Sequence, residues 1–227
     1  MSALLEIVNL SKTYKQGKVA VQALQDINLS IEKGEFAALV GPSGSGKTTL
    51  LNLIGGLDKP TSGNVIINGI DLEKKTDKEL SKFRLRQIGF IFQAYNLLPV
   101  ISALENVELI MILQGQPLKQ CREKAINYLQ MVGIVEEIHR KPAELSGGQQ
   151  QRVAVARALA AGPRMVLADE PTANLDSQNA TSLLNLMNNL SQQEGVTFIL
   201  STHDSRVVER AKRIVNLHDG QIVTDDL

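Results

Sequence analysis

A chain of 227 residues holds enough apolar material for one sizeable core, with or without a small inserted lobe. Its 24 basic and 24 acidic residues cancel, which argues against nucleic acid as a partner, because polyanions are held by an excess of Lys and Arg. The single cysteine, Cys121, excludes an internal disulfide and a thiolate zinc site and fits a reducing compartment.

The opening residues, from Met1 to Glu6, show neither a basic nor an apolar signal segment, so no signal peptide is expected. Leu5 and Ile7 begin a period-two pattern that returns at Ile27, Leu29 and Ile31 and again at Val65 and Ile67; each set predicts a strand. Between them Phe36-Ala37-Ala38-Leu39-Val40 is apolar throughout, as befits a strand buried on both faces. Residues 73–86 mix charges of both signs and predict a solvated loop and helix face. The longest uncharged stretch, residues 87–104, contains Gly89, Gln93, Asn96 and Pro99. It cannot stand as a helix in lipid, so no direct membrane insertion is expected and any membrane link must run through a partner protein.

From about 94 to 145 the strand signals stop, and Ala125, Leu129 and Val132 give an apolar helical face, predicting a helical lobe inserted between strands. Met165-Val166-Leu167-Ala168 and Thr197-Phe198-Ile199-Leu200 predict two more buried strands. Leu183, Leu186, Met187 and Leu190 mark an amphipathic helix between them. Buried strands separated by helices indicate a mainly parallel α/β sheet. Asp219-Gly220, set between Ile214-Val215-Asn216-Leu217 and Gln221-Ile222-Val223, predicts a terminal hairpin. No repeat or linker interrupts the chain, so residues 1–227 read as one domain.

Gly41-Pro42-Ser43-Gly44-Ser45-Gly46-Lys47-Thr48 fits G-x-x-x-x-G-K-[ST], and it follows a buried strand and precedes the helix-forming run from Thr49. Its glycines let the backbone turn tightly and aim N–H groups at phosphate oxygens, with the helix N-terminus adding partial positive charge. Lys47 is suited to the β- and γ-phosphates, and the Thr48 hydroxyl to Mg²⁺. Asp169 and Glu170 close the strand from Met165, at the edge where open α/β sheets bind ligands. Asp169 suits the Mg²⁺ shell and Glu170 the polarisation of an attacking water.

Leu145-Ser146-Gly147-Gly148-Gln149 offers a second anion-binding helix N-terminus. Here the chain resembles the ATP-binding subunits of ABC transporters, whose signature reads LSGGQ. The resemblance covers nearly the whole chain. It implies a P-loop NTPase fold with a RecA-like core, an N-terminal antiparallel β subdomain and an inserted helical subdomain. It also implies ATP and Mg²⁺ as cofactors, ATP hydrolysis, and a head-to-tail dimer in which each nucleotide lies between one copy's cradle and the other's Ser146, Gly147, Gly148 and Gln149.

On the same resemblance Tyr14 stacks on adenine, Gln93 contacts Mg²⁺ and water, and Asp176, in Asn174-Leu175-Asp176, touches the opposite subunit. His203, in Ser201-Thr202-His203-Asp204, contacts the γ-phosphate. The implied partners are a second copy and an integral membrane permease, at the cytoplasmic face of the inner membrane. The segments Gly55-Gly56-Leu57-Asp58, Gln93-Ala94-Tyr95-Asn96-Leu97-Leu98-Pro99 and Ala168-Asp169-Glu170-Pro171-Thr172-Ala173 resemble the branch serving lipoprotein release and macrolide or peptide export, which often has Gly where Ala173 stands. Soluble relatives that act on DNA or ribosomes carry a long coiled coil, a second cradle or cysteine-rich zinc sites, and this sequence has none of them.

Overall fold

A computed structural model describes residues 3–17 and 19–226. β1 (Leu5–Gln16) and β2 (Val19–Ile31) form a long antiparallel ribbon, extended by β4 (Ser62–Ile67) and β5 (Ile70–Asp71) into a four-stranded sheet of order β2-β1-β4-β5. A second sheet has the order β10-β9-β3-β8-β7-β6, from β3 (Phe36–Val40), β6 (Ile88–Ile91), β7 (Met165–Asp169), β8 (Thr197–Thr202), β9 (Arg213–His218) and β10 (Gln221–Asp226). Its strands run parallel except β10, which folds back on β9. Asp219 and Gly220 turn that hairpin with positive φ at both positions, as the Asp-Gly pair requires.

Alternation along the central strands divides the core in two. Phe36, Ala38, Val166, Ala168, Phe198 and Leu200 point to one face; Ala37, Leu39, Met165, Leu167 and Ile199 point to the other. The first face is covered by α3 (Ala103–Leu113), α4 (Leu118–Met131), α5 (Gly147–Ala160) and α6 (Ser177–Glu194). The second is covered by α1 (Lys47–Ile54), α2 (Asp77–Gln87) and the four-stranded sheet. A strand wrapped on both sides has no solvated position, which is why these runs are apolar between their ends.

The segment between β6 and β7 is helical, with α3 and α5 each opened by a capping box: Ser102 with Glu105, and Ser146 with Gln149. The mixed-charge segment forms α2 behind a third box, Thr76 with Glu79. A short α7 (Ser205–Val208) follows β8. Because β3, β6, β7 and β8 are parallel, their C-terminal ends share one edge of the sheet, and the site forms there.

Candidate active site

Lys47 opens α1, and the residue before it, Gly46, has φ 104°. A Cβ on Gly46 would stand 2.7 Å from the Ala23 carbonyl oxygen, so both conformation and space exclude a side chain there. The buried Lys47 Nζ donates to the Gly41 and Pro42 carbonyls at 2.8 and 2.9 Å, inside the loop it belongs to. Ser43, Gly44, Gly46, Lys47, Thr48 and Thr49 line one wall of a cavity of about 650 Å³.

Gln93, Glu170 and His203 line the same cavity, so residues far apart in sequence meet there. The Thr48 hydroxyl donates to Asp169 Oδ1 at 3.1 Å, which brings together the two oxygen groups expected at Mg²⁺. Among the described residues no cluster of three or more His, Cys, Asp or Glu could hold a metal by itself. That donor set fits Mg²⁺, which takes one or two protein oxygens and completes its shell with phosphate and water.

Glu170 has φ 46°, a left-handed conformation costly for a side chain of this type. Its backbone N–H is held by the Ser201 carbonyl and hydroxyl, each at 3.2 Å. His203 Nδ1 lies 2.9 Å from Glu170 Oε1. Ser201 also donates to Asp169, so one hydroxyl braces the Asp169 carboxylate and the Glu170 backbone together. Ser201 was not anticipated as a site residue. Its signal is the strand register, which sets Ser201 directly beside Asp169.

Beyond His203, Asp204 caps α7 and takes a bidentate hydrogen bond from Arg206. The Arg206 guanidinium, the backbone N–H of Arg206 and the Thr172 hydroxyl hold the Asp204 carboxyl down at about 2. Gln93 sits on a loop tied at two points. Its carbonyl accepts from Asn174 at 2.9 Å, and the carbonyls of Tyr95 and Asn96, two and three residues on, accept from Arg157 of α5.

The second anion-binding candidate stands apart, for none of Ser146, Gly147, Gly148 or Gln149 lines the cavity. Ser146 Oγ accepts from the Gln149 N–H, and Gln149 Oε1 accepts from the Ser146 N–H, so both side chains serve the cap. Asp176 likewise caps α6, accepting from the N–H groups of Gln178 and Asn179. Tyr14 pairs with Val21, a cavity-lining residue, and thus stands beside the cavity's rim. No helix among the described residues is long and apolar enough to cross a membrane.

The family described as "ABC transporter" matches residues 24–173. The chain is 46% identical to the lipoprotein-releasing system ATP-binding protein LolD of Legionella pneumophila (strain Paris), covering 94% of each. It is 48% identical to the macrolide export ATP-binding/permease protein MacB of Hyphomonas neptunium, over 98% of this chain and 34% of that protein. The dimeric, post-hydrolysis structure of the ATP-binding cassette MJ0796 of Methanocaldococcus jannaschii, bound to ADP and Pi, superposes with a TM-score of 0.91 at 44% identity, covering 98% of this chain and 97% of the other.

Proposed function

This chain belongs to the ABC transporter family, and on that premise we propose that it binds and hydrolyses ATP to power a membrane permease of the lipoprotein-, peptide- or drug-extruding kind. The carrying observation is the meeting of Lys47, Thr48, Gln93, Glu170 and His203 around one cavity. Residues 1–227 act as one ATP-binding domain, with 94–145 as its helical subdomain.

Lys47 exchanges its two carbonyl partners for the β- and γ-phosphates, and the N–H groups of the cradle take the remaining phosphate oxygens. Thr48, Asp169 and Gln93 would hold Mg²⁺, which when bound would supply positive charge against the phosphate oxygens. Glu170 takes a proton from the attacking water as its oxygen bonds to the γ-phosphorus. The bond from phosphorus to the β–γ bridging oxygen breaks, and ADP leaves. His203 orients Glu170 from one side and faces the γ-phosphate from the other.

A second copy binds head to tail, so that the α5 N-terminus of each closes over the other's nucleotide. Asp176 stands at that contact. The permease docks on the helical subdomain and holds the dimer at the cytoplasmic face of the inner membrane. Release of phosphate from ATP by the purified chain, lost when EDTA removes divalent metal, tests the hydrolytic part. A chain that binds ATP without releasing phosphate overturns it, and failure of any integral membrane protein to co-purify overturns the transport part.

A further inference from the structure

Asp58 belongs to no part of the cavity, yet it grips the residue placed at the rim. It lies just past α1, in a loop whose Leu57 N–H and Asp58 N–H both return to the Asn52 carbonyl. One carboxylate oxygen, Oδ2, accepts from the Tyr14 hydroxyl at 2.8 Å. The other, Oδ1, accepts from Lys12 Nζ at 2.7 Å and from the Lys59 N–H at 2.7 Å.

Lys12 and Tyr14 are two apart on β1 and so share one face of the ribbon. The Lys12 ammonium lies 4.7 Å from the centre of the Tyr14 ring, within range of a cation–π contact. Lys12 is itself fixed, since it also donates to the Lys59 carbonyl at 2.6 Å. The phenol is thus held at its tip by a carboxylate and on one face by a cation, while Tyr14 as a whole stays 37% exposed. Burial pushes the Asp58 carboxyl up, but the hydrogen bonds from Lys12 and Tyr14 outweigh it and keep the group below the ordinary carboxylate range. The acceptor for the Tyr14 hydroxyl is therefore ionised at neutral pH.

A surface tyrosine with a free χ1 would spend most of its time away from a base, and ordering it on binding would subtract from the stacking free energy. We propose that Asp58 and Lys12 are positioning residues that hold the Tyr14 ring in place as the platform for the nucleotide base, with one face taken by Lys12 and the other left for the ligand. The proposal rests on the reading of Tyr14 as the base-stacking residue. It adds a reason for the Asp58 side chain in a loop that contributes nothing else to the cavity. It also ties the platform to α1, the helix that carries Lys47 and Thr48.

Steady-state ATP hydrolysis by the full chain, with inorganic tripolyphosphate as a base-free competitor, separates the possibilities. Tyr14→Ala should raise KM for ATP about tenfold, the usual scale of one base–aromatic stack. Asp58→Ala and Tyr14→Phe, which remove opposite ends of one hydrogen bond, should each raise KM roughly threefold while kcat stays within about twofold. Their combination should be no worse than either alone. Asp58→Asn keeps an acceptor and should recover most of the loss. Lys12→Met keeps the stem without the charge; it should raise KM about twofold, and have no effect in a Tyr14→Ala background.

Inhibition by tripolyphosphate should be unchanged in every variant. Multiplying effects in the Asp58→Ala, Tyr14→Phe double variant would overturn the proposal, as would a parallel loss of tripolyphosphate binding, which would make Asp58 a prop for α1. Tyr14→Ala with unchanged KM would remove the stacking reading and this one with it. A tenfold effect of Tyr14→Ala beside silent Asp58 and Lys12 variants would remove only the positioning role.

Discussion

His203 Nδ1 lies 2.9 Å from Glu170 Oε1, joining the ends of two neighbouring parallel strands at the wall of the cavity. The imidazole is 70% exposed at its side chain while the carboxylate is 16% exposed, so the pair has one sheltered and one open member. In the proposed mechanism the sheltered member is the general base.

Glu170→Gln keeps shape and hydrogen bonding but loses the basic oxygen. It should slow hydrolysis about 10²–10⁴-fold and leave Mg²⁺-ATP bound, since Thr48 and Asp169 are untouched. Light scattering in Mg²⁺-ATP should then show a persistent dimer. Ser146→Arg, placing bulk at the opposing helix N-terminus, should dissolve that dimer. A dimer indifferent to Ser146→Arg would mean that association uses another surface.

Lys47→Ala removes the cation that the cradle keeps folded over its own carbonyls. The lost charge-assisted contact weakens nucleotide binding by about 1.5–3 kcal/mol, roughly ten- to hundredfold, and turnover should nearly vanish. Equilibrium binding of a fluorescent ATP analogue and phosphate release measure the two effects. An unchanged steady-state rate would remove the cradle from the mechanism.

Asp204 supplies a pH signature. Its folded-state value of about 2 lies below the ordinary 3.8, so its contribution is fully present above pH 4 and fades as pH falls towards 2. Asp204→Asn should lower stability at pH 7 by about 1 kcal/mol once solvent screening is allowed for. That is a melting shift of roughly 2–4 °C. Thermal melts from pH 7 to pH 2.5 should show the difference between the two proteins shrinking. A gap that stayed constant would mean the loss is steric.

Leu97 and Leu98 differ although they are adjacent. Leu97 packs against the core shared with α3–α6, whereas Leu98 is 45% exposed and only its backbone is held, by the buried Asn106 side chain. Leu97→Glu should therefore lower the melting temperature. Leu98→Glu should fold normally and retain basal ATP hydrolysis while losing stimulation by the permease. Equal melting temperatures for the two variants would refute the assignment of Leu97 to packing.

Much of this was legible because the informative residues are local. The cradle, the Asp169-Glu170 pair and the Asp219-Gly220 turn each declare themselves within a few residues of chain, and the uniformly apolar runs at Phe36, Met165 and Thr197 became the central strands. β6 was missed as a strand, because Ile88-Gly89-Phe90-Ile91 is short and carries a glycine. Gly89 is there for packing: a Cβ would stand 2.6 Å from the Ala158 carbonyl of α5. Ser201, Arg157 and Asp58 were silent for a different reason. Each acts through a partner more than 30 positions away, and no spacing rule links serine to aspartate or arginine to a carbonyl until the sheet order is known.

Arg157 and Ser146 belong to the same rigid body. Ser146 caps α5 at one end, and Arg157 leaves it eleven residues later, roughly 16 Å along the axis, to grip the Tyr95 and Asn96 carbonyls. A helix of this length does not compress, so a shift at its N-terminus is delivered to the loop that carries Gln93. In a head-to-tail pair, the first end would rest on the neighbour's nucleotide and the second on the loop that brings Gln93 to the copy's own cavity. Each α5 is then a lever spanning both sites, and loss of phosphate at one would be felt as a tug on the backbone beside the other.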